Sequence, residues 1–423
     1  MTAPCRLNRI SPKLLSPISV NSTPVDSFDG VVIAGAGVVG LTLALSLTQS
    51  GIPVLVLEAE PEVVKEFRGS TFHPPTIEML DSLSVADELI DKAVVVDRVQ
   101  YRDRRDGLIA EFDMGILGED TRYPFRLQID QYALAVILRD RLIRERLAEI
   151  RYQNRVISVV PDSTYATLTV NTTDSSRIFR APWVVGADGA SSAVRQSIGV
   201  DFEGMTYPER YLTIFTTFDF SQYFTDLAPV SYVSDPGEWF LMLRSPDVWR
   251  VLFPTSPDGR GKNLLSKRST QDRLRGIVDT SKSFEVVHSR LYNVHQRVAR
   301  TYRRGTVLIA GDAAHLNNPV GGMGLNGGIH DAINLAEKLA NVWSGNSEPD
   351  LLDAYSEDRR RVAIDFVQKQ THQNVLDLSE SDPEKRKRVH EEMRKIGDDP
   401  QLARRFLLRA SMMNESQSPN RLL

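Results

Sequence analysis

An apolar run, Val31 to Ala34, opens directly onto Gly35-x-Gly37-x-x-Gly40, and this junction constrains the fold more than any other stretch. Four consecutive apolar residues read as a strand buried on both faces, as in a parallel sheet. Gly35 permits a tight turn, Gly37 lets backbone approach a pyrophosphate, and Gly40 lets the next helix pack closely. Val39 falls in the same turn and joins the candidate cofactor contacts. The helix that follows, Leu41 to Ser50, aims unpaired N–H groups at the phosphates. Gly51-Ile52-Pro53 stops it, Val54 to Leu57 is a second strand, and Glu58 stands where an acid meets a ribose hydroxyl pair. The full set points to a bound dinucleotide rather than an empty strand–turn–helix.

The same glycine spacing recurs at Gly322-Met323-Gly324-Leu325-Asn326-Gly327. There it follows Pro319 and a loop, and no acid-tipped strand comes after it. A second nucleotide fold is not expected, so any nicotinamide reaches the first cofactor without a dedicated domain.

At 423 residues the chain fits two domains or one large discontinuous one. Its net charge of −4 gives no general pull toward nucleic acid or anionic membrane. Cys5 is the only cysteine, which excludes a disulfide, a cysteine metal cluster and thiol catalysis. A reducing, cytoplasmic home is expected, with no metal site and no membrane span. Residues 1–28 hold Arg6, Arg9 and Lys13 and no acid before Asp26, as a transit peptide would. Pro4, Pro12, Pro17 and Pro24 interrupt any amphipathic helix, which favours a disordered tail or an upstream start.

Helical periodicity covers Thr76 to Val95 and Gln131 to Leu147, and strands are expected at Val156 to Val160, Ala166 to Asn171 and Trp183 to Val185. From Tyr211 to Thr255 aromatic and β-branched runs alternate with Pro, Gly and Asp, which reads as an inserted antiparallel sheet. Beyond Pro349 the chain is helical and charged. The expected class is α/β, with a Rossmann-like cofactor domain over 29–96, 126–200 and 298–345. A substrate domain takes 97–125 and 201–297, and C-terminal helices take 346–423.

Two further stretches complete a pattern: V-V-G-A-D-G-A-S-S-A-V-R at Val184 to Arg195, and V-L-I-A-G-D-A-A-H at Val307 to His315, running into N-P-V-G-G-M-G-L-N-G-G. In this order, with Glu58, they resemble the single-component FAD-dependent aromatic hydroxylases, the superfamily of para-hydroxybenzoate, phenol and phenylpropionate hydroxylases. The similarity runs from about Asp29 to Trp343. It implies non-covalent FAD, with NAD(P)H and O2 as co-substrates and a small aromatic substrate. A homodimer is one open arrangement.

The resemblance also assigns residues. It places Asp312 on a flavin ribityl hydroxyl, and Asp188 with Gly189 beside FAD and the visiting nicotinamide. Arg68 matches an arginine that pairs with pyrophosphate, and Gln131 matches the polar residue heading the helix after the first excursion. Arg195 is either a structural partner of its loop or a phosphate contact. Pro319 matches a proline whose carbonyl lies near the reactive flavin carbon.

Gly321, Gly322, Gly324, Gly327 and Gly328 leave so little bulk that a flat ring can lie on bare backbone. A helix from Gly327 to Trp343 should place its positive end there, with Leu325 and Asn326 as backbone donors to reduced flavin. His73 is a catalytic base or a hydrogen-bonded structural histidine. Tyr232, Trp239, Met242 and Arg250 are the substrate candidates: alternation along the sheet sends half of these to each face, and an arginine suits a carboxylate or phenolate.

The implied activity is hydroxylation of a phenol or N-heteroaromatic through a flavin C4a-hydroperoxide. A flavin halogenase is disfavoured because no W-x-W-x-I-P element exists. A sensor that merely retains FAD is disfavoured by the intact motifs. A non-oxygenating FAD reductase or dehydrogenase acting on a quinone or lipid shares every cofactor motif and stands as the alternative.

Overall fold

The structure is a computed structural model that describes residues 25–65, 69–255 and 263–413. Strands Val31–Ala34, Val54–Leu57, Ala148–Arg151, Trp183–Gly186 and Val307–Ile309 form a parallel sheet, closed on one edge by the antiparallel Arg303–Arg304. Val31–Ala34 and Val54–Leu57 are buried along their whole length, so each needs cover on both faces. Helices Val38–Gln49, Gln131–Leu142 and Met323–Trp343 pack together as part of that cover. The expected Rossmann-like core is thus present, and its glycine turn lies at the carboxyl end of a central strand, where ligands bind in open α/β sheets.

The second large sheet has eight strands, in the order His315–Leu316, Val286–Ala299, Phe202–Thr216, Trp249–Thr255, Phe240–Arg244, Val230–Ser234, Arg98–Asp103, Gly107–Asp113. Neighbours are antiparallel except Val230–Ser234 beside Arg98–Asp103, which run parallel. Strand alternation divides its side chains between two apolar layers. One layer holds Leu212, Ile214, Phe240, Met242, Trp249, Val251 and Phe253. The other holds Tyr211, Tyr232, Trp239, Leu241 and Leu252, packed with Val320 and with Leu378, Ala403 and Leu407 of the C-terminal helices. A four-stranded sheet (Val25–Ser27, Ser176–Ala181, Ala166–Asn171, Arg155–Pro161) and a three-stranded one (Thr71–Phe72, Arg126–Gln128, Val94–Val96) complete the fold.

Four sequence expectations need correction. Thr76 to Val95 is two helices, Pro74–Ser82 and Ala86–Lys92, because Ser84 takes the left-handed conformation (φ 59) between them. The helix at Gln131 ends at Leu142, and Ala148–Arg151 joins the parallel sheet instead. The long helix starts at Met323, four residues before Gly327, because Gly322 at φ 70 turns the chain into it. Val25–Ser27 pairs with Ser176–Ala181, so the end of segment 1–28 belongs to the fold; the rest of that segment lies outside the described residues.

Candidate active site

The glycine turn is built by close contact. A β-carbon on Gly35, already at φ 104, would lie 2.5 Å from the Ala187 carbonyl oxygen, and one on Gly40 would lie 2.1 Å from that of Gly35. Gly37 differs: a β-carbon there meets nothing within 4 Å, so the glycine leaves open room rather than relieving a clash. Gly37 also caps helix Val38–Gln49 with no side-chain hydrogen bond, so the first N–H groups are left for a ligand.

The open room is a cleft of about 540 Å³ lined by Gly35, Gly37, Glu58, Gln131, Asp188 and Gly189, among others. Glu58 accepts from the Ala36 amide at 2.6 Å and from Glu60 at 2.9 Å, which fixes its carboxylate at the turn. Asp188 accepts from the Ser192 hydroxyl at 2.5 Å and the Val194 amide at 3.2 Å, and so steadies the start of helix Ala193–Ser197, whose N-cap is Ser192, while bordering the cleft. Val39 packs against the glycines of the third motif: β-carbons on Gly311 and Gly328 would fall 2.8 and 2.7 Å from its methyl.

Gln131 carries the path onward. Its Oε1 accepts from the Gly69 amide at 3.3 Å. A β-carbon on Gly69 would touch both Gln131 and Leu325 at 3.0–3.1 Å, so the cleft residues and the glycine loop meet here. Arg68 lies outside the described residues. Gly322 caps the long helix without a side-chain hydrogen bond, leaving first-turn amides, Gly324 and Leu325 included, without intrahelical partners. Asn326 has a second part to play through its side chain. Its side chain accepts from the His73 amide at 2.9 Å and donates to the Thr71 carbonyl at 2.9 Å, which braces the loop against the three-stranded sheet.

His73 is fully buried. Its Nε2 donates to the Gly321 carbonyl at 2.9 Å and its Nδ1 has no partner. Burial, then the nearby Arg126 charge, hold its pKa well below the ordinary histidine value. A neutral ring fastening Gly321 matches the structural reading and makes a poor general base. Pro319 lies between Asn318, whose amide donates to the Tyr211 hydroxyl at 2.9 Å, and Val320 in the apolar layer of the eight-stranded sheet.

Asp312 sits in the Gly311–Ala313 turn after strand Val307–Ile309, exposed while both neighbours are buried. Its turn is held by residues the sequence reading missed. Asp331, fully buried, accepts from the Gly311 amide at 3.0 Å, from His315 at 2.7 Å and from Arg359 at 2.6 Å. Burial would raise its pKa, but His315 and Arg359 outweigh it and bring the value down to about 2. Asp331 lies on the long helix and Arg359 on helix Leu351–Val362. Only the recurrence of buried positions every three to four residues hints at it in sequence. Arg195 resolves as a structural partner, donating to the carbonyls of Ala313 and Ala190.

The substrate candidates separate. Tyr232 and Trp239 share the layer that reaches the glycine loop, with Tyr232 stacked on Tyr101 and Trp239 edge-on to Tyr211. Met242 lies in the opposite layer with Phe240 and Trp249, since its strand position has the other parity. Arg250 is buried, 5.0 Å over the Phe215 ring, with Asp130 and Tyr292 acting on its charge.

A parallel sheet with a glycine turn, an acid at the second strand and an uncapped helix facing an aromatic sheet defines a nucleotide-binding oxidoreductase of Rossmann-like build. The FAD binding domain family matches residues 30–370, and the chain belongs to it, as a single-component FAD-dependent aromatic monooxygenase with NAD(P)H as co-substrate. It is 36% identical over 395 residues to para-nitrophenol 4-monooxygenase of Pseudomonas sp. (strain WBC-3), spanning 92% of this chain and 97% of that one. With 6-hydroxy-3-succinoylpyridine 3-monooxygenase of Pseudomonas putida (strain DSM 28022 / S16) it shares 31% over 354 residues, 84% and 90% of the two chains. The crystal structure of a p-nitrophenol 4-monooxygenase from Pseudomonas putida DLL-E4 superposes with TM-score 0.87 at 33% identity, covering 92% of this chain and 99% of that one. Such relatives disfavour the reading as a non-oxygenating reductase of quinones or lipids. Among the described residues no helix is long and apolar enough to cross a membrane, and no group of acids and histidines could hold a metal.

Proposed function

We propose that this chain hydroxylates a small phenol, taking electrons from NAD(P)H and one oxygen atom from O2, in the cytoplasm. The observation that carries the reading is the Asn318–Tyr211 hydrogen bond, which joins the glycine loop to the aromatic layer of the eight-stranded sheet. A flat apolar ring suits that layer, and the similarity to para-nitrophenol 4-monooxygenase along nearly both whole chains supports a single phenolic ring.

The cleft fits FAD: open space at Gly37, a fixed acid at Glu58 and two uncapped helix starts match its anionic, hydroxylated length. Glu58 would hold the ribose, the turn at Gly35 and Gly37 with Arg68 the pyrophosphate, Asp312 the ribityl chain, and Gly324 and Leu325 the ring. Bound FAD supplies hydride acceptance and oxygen transfer. Val320, Leu241 and Leu252 belong to the buried apolar layer on the loop side, which would keep water from the ring, and the first-turn helix amides would meet developing negative charge. A screen of NAD(P)H oxidation across phenols, hydroxybenzoates, nitrocatechols and hydroxypyridines, with product mass, tests the reading. Mono-oxygenated product from a phenol is expected; turnover on no phenol would overturn it.

A further inference from the structure

Arg126 is a buried cation with almost nothing to hold it. It lies on the central strand of the three-stranded sheet and is 3% exposed. Nη2 donates to the Ala410 carbonyl at 3.3 Å, Nε has no partner, and no carboxylate among the described residues is within ion-pair distance. The carbonyl end of helix Pro400–Ala410 offsets part of this charge but supplies no counter-ion. Removing a guanidinium from water without a counter-charge is costly unless an anion completes the site. Arg250, by contrast, has Asp130 acting on it.

The surroundings of Arg126 suit a phenol. Phe72 pairs with Leu127, and His73, the residue after that strand, lies close enough for the Arg126 charge to act on it. His73 is tied through Nε2 to Gly321 of the glycine loop and leaves Nδ1 buried and unpartnered. On the other side the charge reaches Tyr101, whose ring stacks on Tyr232 at 5.0 Å. The titratable groups nearby are therefore His73, Tyr101 and Tyr232, with Asp377 acting on Tyr101 from the C-terminal helices. Burial keeps His73 uncharged at neutral pH, so Arg126 is the cation that acts both on His73, which is bound to the glycine loop, and on Tyr101, which stacks in the aromatic layer.

We propose that Arg126 is the binding group for the oxygen of an ionised phenol, so that this enzyme selects phenols acidic enough to arrive as phenolates. The proposal rests on the phenol reading and names the residue that enforces it.

The test is direct binding to the FAD-loaded enzyme, followed by the flavin spectrum, using two phenols of different acidity and 4-nitroanisole as a neutral analogue. In the wild type, affinity should rise as each phenol ionises, with midpoints that follow each phenol rather than one protein group. Arg126→Met should weaken the phenolates by about 10- to 100-fold, as expected for a charge-assisted hydrogen bond, and leave the anisole unchanged. Arg126→Lys should restore part of the loss and keep the pH profile. Wild-type affinity that ignores phenol ionisation would overturn the proposal, and this outcome needs no variant to fold. Equal weakening of phenolate and anisole in Arg126→Met would reduce Arg126 to a cap on helix Pro400–Ala410. Turnover of phenols without ionisation dependence sinks only this inference; turnover of no phenol sinks the reading beneath it.

Discussion

Arg195 donates to the carbonyl oxygen of Ala313 at 2.9 Å, and its other nitrogen reaches the Ala190 carbonyl at the same distance. Its guanidinium carbon lies 4.0 Å from the Phe202 ring centre. One buried side chain therefore clamps the turn bearing Asp188 and Gly189 to the turn bearing Asp312. Arg195→Met should loosen both turns and weaken FAD by about tenfold or more, the loss expected for one hydrogen bond to a charged group. Lysine should not rescue, because its single nitrogen cannot reproduce a planar fork to two carbonyls. FAD titration by fluorescence quenching checks this; unchanged affinity in Arg195→Met would separate the clamp from the cofactor.

Glu58→Ala should also weaken FAD, by about 1.5–3 kcal/mol for lost bonds to a charged group. The carboxylate additionally steadies the Ala36 amide, so Glu58→Gln should retain part of the affinity. Wild-type FAD binding by Glu58→Ala would remove the acid from the ribose.

Gly322 is a more sensitive position in the glycine loop than Gly324. At φ 70, a β-carbon on Gly322 would lie 2.8 Å from the Thr71 β-carbon, whereas one on Gly324 would meet only the Asn317 side chain, at 3.0 Å. Gly322→Ala should cost about 1–2 kcal/mol in backbone strain and shift the first turn of the long helix. Product per NAD(P)H consumed should fall and hydrogen peroxide rise, with FAD occupancy largely kept. Gly324→Ala should be milder on every count. Equal coupling in both variants and wild type would place the loop away from the chemistry.

Acid should destabilise the fold well before its carboxylates titrate. His330 is brought to about 3 by burial and then by Arg359, and burial likewise lowers His73. In unfolded chain both bind a proton near the ordinary value of about 6.5, so unfolding takes up protons. Their contribution is complete above about 6.5 and declines as pH falls toward the folded value, by about 1.4 kcal/mol per pH unit for each. Asp331, depressed to about 2, adds its loss only below about 4. Urea unfolding from about pH 7 to about pH 5 should show a falling free energy. A flat profile over that span would mean both histidines carry protons in the fold.

The parts legible in sequence were those set by backbone geometry. Gly35, Gly37 and Gly40 act through turn, open space and close packing, and a glycine records each locally. The hydrophobic period of Thr76 to Val95 was real, but it did not register the left-handed Ser84 that splits the helix. Alternation already separated Trp239 from Met242, but which of the two faces meets the glycine loop is set by packing that the sequence does not record. Asp331, His315 and Arg359 meet from separate elements, and Arg126 matters for the counter-ion it lacks among the described residues. Neither relation exists until the chain is folded.

The central claim is that electrons from NAD(P)H place one atom of O2 on an aromatic ring. Its most direct test is turnover of the FAD-loaded enzyme on a responsive phenol under ¹⁸O2, with mass analysis of the product. The expected result is one labelled oxygen per product, formed only when reduced nicotinamide, oxygen and phenol are all present. Product oxygen drawn from water, or nicotinamide oxidation that proceeds without oxygen while a quinone is reduced, would contradict it.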